Sequence, residues 1–156
     1  MIRVVAICVF RHGDRILVTE GVDSVSGARF ARPLGGGVEE GERSADTIVR
    51  EVREEIDAEV VDLRFLGVIE NLFTYEGRDR HEVVFVYDAR LADGALYDRP
   101  EIALLEAGWS TPAVWRSLDS FGSECRLVPT GLAGLLNGPI QHPPLPSGTI
   151  LDAGSA

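Results

Sequence analysis

Gly36-Gly37-Val38-Glu39-Glu40-Gly41-Glu42-Arg43-Ser44-Ala45-Asp46-Thr47-Ile48-Val49-Arg50-Glu51-Val52-Arg53-Glu54-Glu55-Ile56-Asp57-Ala58 is the stretch on which the fold turns. From Ser44 to about Ala58, the apolar residues Ala45, Ile48, Val49, Val52 and Ile56 recur at steps of three and four, which predicts a helix with one apolar stripe. Ser44 is the expected N-cap, and Asp46 suits the first turn. Ahead of the helix, Gly35-Gly36-Gly37 is expected to break the chain. From Glu39 to Glu59, the acids Glu39, Glu40, Glu42, Asp46, Glu51, Glu54, Glu55, Asp57 and Glu59 face only Arg43, Arg50 and Arg53. Such density is costly unless something positive neutralises it. Glu51, Glu54 and Glu55 stand at i, i+3 and i+4, so their carboxylates share one helical face. Carboxylates converging there repel one another, and they also form a hard-oxygen set suited to Mg²⁺ or Mn²⁺. The glycines before them bring backbone carbonyls and amides close without side chains in the way. Divalent ions beside such a loop can hold a diphosphate and activate water against it. Most glutamate-rich helix faces are merely solvated, so the wider pattern has to decide.

Gly36, Glu42, Arg50, Glu51, Val52, Glu54 and Glu55 fall on the pattern G-x5-E-x7-R-E-U-x-E-E-x-G-U, where U is a bulky apolar residue. Residues 36–58 thus resemble the Nudix box. Asp57 replaces the usual glycine and Ala58 the usual larger apolar residue. Glycine at the first of these supplies a left-handed C-cap, a conformation that Asp tolerates at some cost. The resemblance implies an α+β fold, a Nudix-like α/β/α sandwich with a mixed central β-sheet. It also implies a Nudix hydrolase, a Mg²⁺-dependent pyrophosphohydrolase with Mn²⁺ as a substitute ion. The bond cut would be a diphosphate linkage in a nucleoside diphosphate joined to another moiety X. By the same resemblance, Glu51, Glu54 and Glu55 bind the metal, and one of them acts as base toward water. A backbone carbonyl in the Gly35–Gly36 turn is the further ligand, while Glu42 and Arg50 pair with neighbours and hold the loop against the helix. A homodimer is a family expectation. The alternative is a non-catalytic module that senses a nucleotide or mediates contacts. Such modules usually lose box glutamates, and all three are present.

The remaining chain adds expectations around this core. With 156 residues, a single domain over 1–138 is expected, followed by a Pro/Gly/Ser-rich tail over 139–156. Residues 2–10 and 15–19 are apolar and β-branched around His12-Gly13-Asp14, which predicts a hairpin. Residues 21–28 read as a loop, and 30–34 as a short strand. Residues 59–69 and 81–90 carry strand signals, with an extra strand near 70–75 and Gly77 in the turn between. Residues 92–108 mix loop and short elements, 113–118 read as the final strand, and 127–136 as a helix with Pro129 in its first turn and Gly138 past its end.

No apolar run approaches the roughly 18 residues of a membrane span, and the start lacks the features of a signal peptide, so a cytoplasmic protein is expected. Cys8 and Cys125 give neither a metal spacing nor a disulfide framework. The chain has no lysine, and all fifteen basic residues are arginine, which excludes Schiff-base and P-loop lysine chemistry. The net charge of −10 argues against nucleic acid as partner and fits a small-molecule substrate. Outside the box, Asp88 and Glu82 are candidates for a further metal acid. Arg32, Tyr75, Arg78, Arg80 and His81 are candidates for substrate contacts, with Phe30 and Phe73 as walls for a flat ring and Arg29 as another phosphate clamp. Trp109 and Trp115 read as packing residues.

Overall fold

The computed structural model describes residues 1–106 and 111–137. The strands are β1 (Ile2–His12), β2 (Arg15–Val22), β3 (Arg29–Gly37), β4 (Val60–Tyr75), β5 (Arg78–Leu91), β6 (Glu101–Ile102), β7 (Ala113–Ser117) and β8 (Arg126–Leu127); the helices are α1 (Ser44–Ile56) and α2 (Leu132–Asn137). The strand order is β4-β5-β1-β3-β2-β7-β6, with β8 joined to β3. β1 runs parallel to β5 and antiparallel to β3, so the sheet is mixed. Residues 5–10 of β1 are all buried, because both of its faces are covered. Ala6, Cys8 and Phe10 pack with Ile48, Val52 and Ile56 of α1. Val5, Ile7 and Val9 pack with Leu132 and Leu136 of α2 on the opposite side. The expected α/β/α sandwich is therefore present, with one helix on each face. No helix among the described residues is long and apolar enough to cross a membrane.

Several local expectations change. The His12-Gly13-Asp14 turn pairs β1 with β2 only at Arg11–Ile16 and His12–Arg15, after which β1 lies between β5 and β3. Gly35-Gly36-Gly37 does not break the chain. It forms the end of β3, paired to Ile7, Ala6 and Val5. A side chain at Gly35 would run into the Ala6 carbonyl oxygen and the Ile7 Cα, so glycine serves close backbone approach here. The extra strand at 70–75 is the continuation of β4, which pairs with β5 as far as Tyr75–Arg78. Glu76 and Gly77, with φ of 53° and 74°, turn this hairpin in two residues.

Ser44 is not the N-cap of α1. Arg43 holds that position without a side-chain bond, and Ser44 Oγ lies 2.6 Å from the Tyr87 hydroxyl. At the other end, Asp57 takes the left-handed C-cap with φ 52° and ψ 46°, and its N–H bonds Arg53 O, so the departure from glycine leaves the cap geometry in place. The C-terminal helix is shorter than expected. Arg126 and Leu127 pair with Phe30 and Ala31 as β8, which makes β7 not the last strand and leaves Pro129 ahead of α2. Trp115 packs on Tyr97 and His12, and its indole N–H bonds Leu96 O at 3.3 Å. Trp109, Gly138 and the segment 139–156 lie outside the described residues.

Candidate active site

The last two turns of α1 lie against the glycine end of β3. Glu51 is 8% exposed and Glu55 5%, an unusual depth for two carboxylates on one helix. Glycine at position 36 makes that possible, because a Cβ there would occupy the place of the Glu51 carboxylate. Glu55 Oε1 accepts the Gly35 N–H at 3.0 Å. Glu54, with its side chain 49% exposed, points toward solvent.

Arg50 ties the box together. It donates to Glu42 through Nε at 2.8 Å and Nη2 at 2.9 Å, to Gly37 O at 3.1 Å, and through Nη1 to Glu51 at 3.1 Å and Glu54 at 3.3 Å. Glu42 also accepts from Thr47 Oγ1 at 2.7 Å and from the Glu39 N–H at 3.2 Å. These bonds, Arg50 foremost, hold the Glu42 carboxyl down at about 2. Glu42 and Arg50 therefore join the loop 39–42, the end of β3 and α1 into one bonded unit.

Carboxylate oxygens of Glu51, Glu54 and Glu106 lie within 4.8 Å of one another. Sequence reading missed Glu106. It sits in a segment without periodicity, and the backbone bond from Leu105 N to Glu55 O at 2.8 Å brings that segment to the end of α1. Glu55, expected in the cluster, turns inward to Gly35 instead. Gly36 presents its backbone beside Glu51. Asp88 is held elsewhere, in a two-pronged pair with Arg64 at 2.6 and 3.1 Å. By alternation along β5, Asp88 and Glu82 share the face of Val84 and Val86, opposite the α1 side.

Burial is the first cause that raises the pKa of each carboxyl of the inner pair. Glu51 is raised, with Arg50 opposing, and Glu55 is pushed up to about 8, with Arg32 opposing and Glu51 adding to the rise. A carboxyl raised on folding contributes stability that is complete below its ordinary value near 4.5 and is lost as pH rises through its folded value, here about 8. Glu42 acts in the opposite sense, but its window lies between about 2 and 4.5, below this one. The metal-free protein should therefore melt at a lower temperature at about pH 8.5 than at about pH 5, and Glu55→Gln should flatten that decline. Thermal unfolding of both proteins at the two pH values checks it. An unchanged slope in the variant would remove Glu55 as the cause.

On the α2 side of the sheet lies a cavity of about 560 Å³. Phe30, Phe73 and Tyr75 form its aromatic wall, with Phe30 and Tyr75 edge to face at 5.8 Å. Arg3, Arg29, Arg32, Arg80 and Arg126 also line it, against only Asp23 and Glu82 among acids. Two of these arginines connect the cavity with the box. Arg32 Nη2 donates to Gly35 O at 3.3 Å, and its charge is felt at Glu55. Arg3 Nη2 lies 3.4 Å from where a Gly37 Cβ would stand. Arg78 and His81 line an adjoining smaller cleft, where His81 Nε2 faces Glu70 at 3.7 Å. Loop residues Asp23 and Ser24 are bonded to Glu76 in the β4–β5 turn, which closes one end of the larger cavity.

The NUDIX domain family matches this chain over residues 1–121. The MutT4 protein of Mycobacterium tuberculosis is 31% identical, over 83% of this chain and 59% of that protein, so this chain spans less than two thirds of that relative's length. Among solved structures, the MutT NUDIX hydrolase from Burkholderia pseudomallei superposes with a TM-score of 0.62 at 20% identity, covering 89% of this chain and 99% of that one. The MutT protein from Bacillus halodurans gives 0.58 at 18% identity, covering 92% and 85%. At these identities the structural likeness is one of fold.

Proposed function

We propose, from the premise that this chain belongs to the NUDIX domain family of hydrolases, that it cuts a diphosphate linkage in a nucleoside diphosphate joined to another moiety X, with Mg²⁺ as its ion. The observation that carries this reading is a cluster of carboxylates, those of Glu51, Glu54 and Glu106, beside the glycine end of β3, to which Arg32 of a cationic, aromatic-walled cavity also bonds. All the donors are hard oxygens, the set that Mg²⁺ prefers, and a Gly36 carbonyl would add one more. When bound, the ion would polarise a phosphoryl oxygen and make a bound water more acidic.

The chain's own residues supply the rest. Arg3 and Arg32 sit where the cavity meets the box and would take phosphate oxygens in two-pronged bonds. Phe30, Phe73 and Tyr75 offer faces and edges to a flat ring. Glu55 keeps one oxygen on the Gly35 N–H, and once ionised its other oxygen, made more basic by burial, would accept a proton from the attacking water. Arg50 keeps Glu51 and Glu54 in place.

The test is a screen of sugar nucleotides, dinucleoside polyphosphates and nucleoside triphosphates with Mg²⁺, read by chromatography of the nucleotide products. Hydrolysis is expected with Mg²⁺ or Mn²⁺, and none in excess EDTA. Undiminished turnover in EDTA would refute the metal assignment.

A further inference from the structure

The cavity floor is a set of cross-strand rows on one face of the sheet. Phe73 stands opposite Arg80, and one row closer to the box Asn71 stands opposite Glu82, which is itself opposite Arg3. The next row holds Ile69, Val84 and Val5, and Val5 pairs with Gly37. Successive rows on one face are about 7 Å apart, two residues of strand rise. Asn71 and Glu82 thus lie midway between the aromatic row and the glycine end of β3. A nucleotide presents flat ring, sugar and phosphate in that same order.

The chemistry of the middle row is specific. Glu82 is only 12% exposed at its side chain, and its one polar contact among the described residues is Arg3 Nη1 at 3.5 Å. Its carboxylate therefore has accepting capacity left, directed into the cavity it lines. Asn71, half-buried and also lining the cavity, makes no side-chain hydrogen bond among the described residues. A carboxylate would repel phosphate. Two hydroxyl groups on adjacent carbons suit this pair, since each O–H can donate to a carboxylate oxygen and accept from the amide. Acidic side chains bind ribose hydroxyls in this way in other nucleotide sites.

We propose that Glu82 and Asn71 read the ribose 2′,3′-diol, so that the site selects ribonucleotides over 2′-deoxyribonucleotides. The proposal rests on the reading of the cavity as a nucleotide slot. The experiment measures calorimetric binding of the four common ribonucleoside diphosphates and their 2′-deoxy forms, with Mg²⁺, to the full chain. Each ribonucleotide should bind on the order of 10-fold tighter than its deoxy partner, the worth of a hydrogen bond to a charged group. Glu82→Gln, which keeps the shape, should bring the ratio close to one. Asn71→Ala should narrow it too and serves if the first variant does not fold. Equal affinities within each pair overturn the proposal, as does a preference that follows the base and ignores the sugar, or no binding by any of them. Turnover measured alongside separates the two readings. Ribose preference with no hydrolysis of any substrate in the Mg²⁺ screen sinks the hydrolase assignment alone, and hydrolysis there without ribose preference sinks this one alone.

Discussion

Glu54→Gln should lower turnover by on the order of 10²–10³ while leaving the stability of the metal-free protein unharmed. Glu54 is half-exposed, and its carboxylate lies within 4.8 Å of those of Glu51 and Glu106. Without a cation, three acids at this distance oppose folding, and Arg50 relieves them only in part. Removing one charge therefore cannot weaken the metal-free fold by much. If the charge holds Mg²⁺ at the reacting phosphate, the loss falls on the transition state. Arg50→Ala should behave differently. It leaves every carboxylate in place but frees Glu42, Glu51 and the Gly37 carbonyl of their shared partner, so melting temperature and turnover should fall together. Melting curves and kcat measured on the same two variants separate the roles. Parental kcat in Glu54→Gln, on a substrate that the parent cuts well, would reduce Glu54 to surface charge.

Two adjacent glycines should respond to the same substitution in opposite ways. In Gly35→Ala the new methyl meets the Ala6 carbonyl oxygen and the Ile7 Cα, both in the backbone of the buried central strand. Backbone in a paired sheet has nowhere to move, so the cost should reach about 3 kcal/mol or more, enough to unfold a marginal domain. In Gly36→Ala the atoms nearest the methyl are those of the Glu51 carboxylate, the far end of a flexible side chain. That carboxylate can swing aside, so the fold should survive while the metal position is lost. Gly35→Ala is thus expected mostly unfolded in denaturant titration at room temperature. Gly36→Ala is expected to melt near the parent and to lose most of its activity. A folded, active Gly36→Ala would show that Glu51 need not lie against β3.

What the sequence alone determined is what short-range spacing can carry. The step of three and four in Ala45, Ile48, Val52 and Ile56 places α1, and the same periodicity puts Glu51, Glu54 and Glu55 on neighbouring turns. The apolar, β-branched run 2–10 marks the first strand. The pattern over residues 36–58 identifies the family and, with it, the sandwich. Local propensity misled wherever a distant segment decided the outcome. Three consecutive glycines read as a break, yet β1 needs a strand there with no Cβ. Leu127 reads as the start of a helix, yet β3 offers it and Arg126 an edge to pair with.

The division within the site has the same cause. Helical spacing cannot say which of three glutamates turns inward, because that depends on the Gly35 N–H across the gap to β3. Nor can it find Glu106, about fifty residues along the chain, which one backbone bond to Glu55 O brings to the cluster. Asp88 and Glu82 looked alike as strand acids, and only the partners they meet, Arg64 for one and an open cavity for the other, set them apart. A carboxylate's role follows from its burial and from the charge that faces it, and both are properties of segments far apart in sequence.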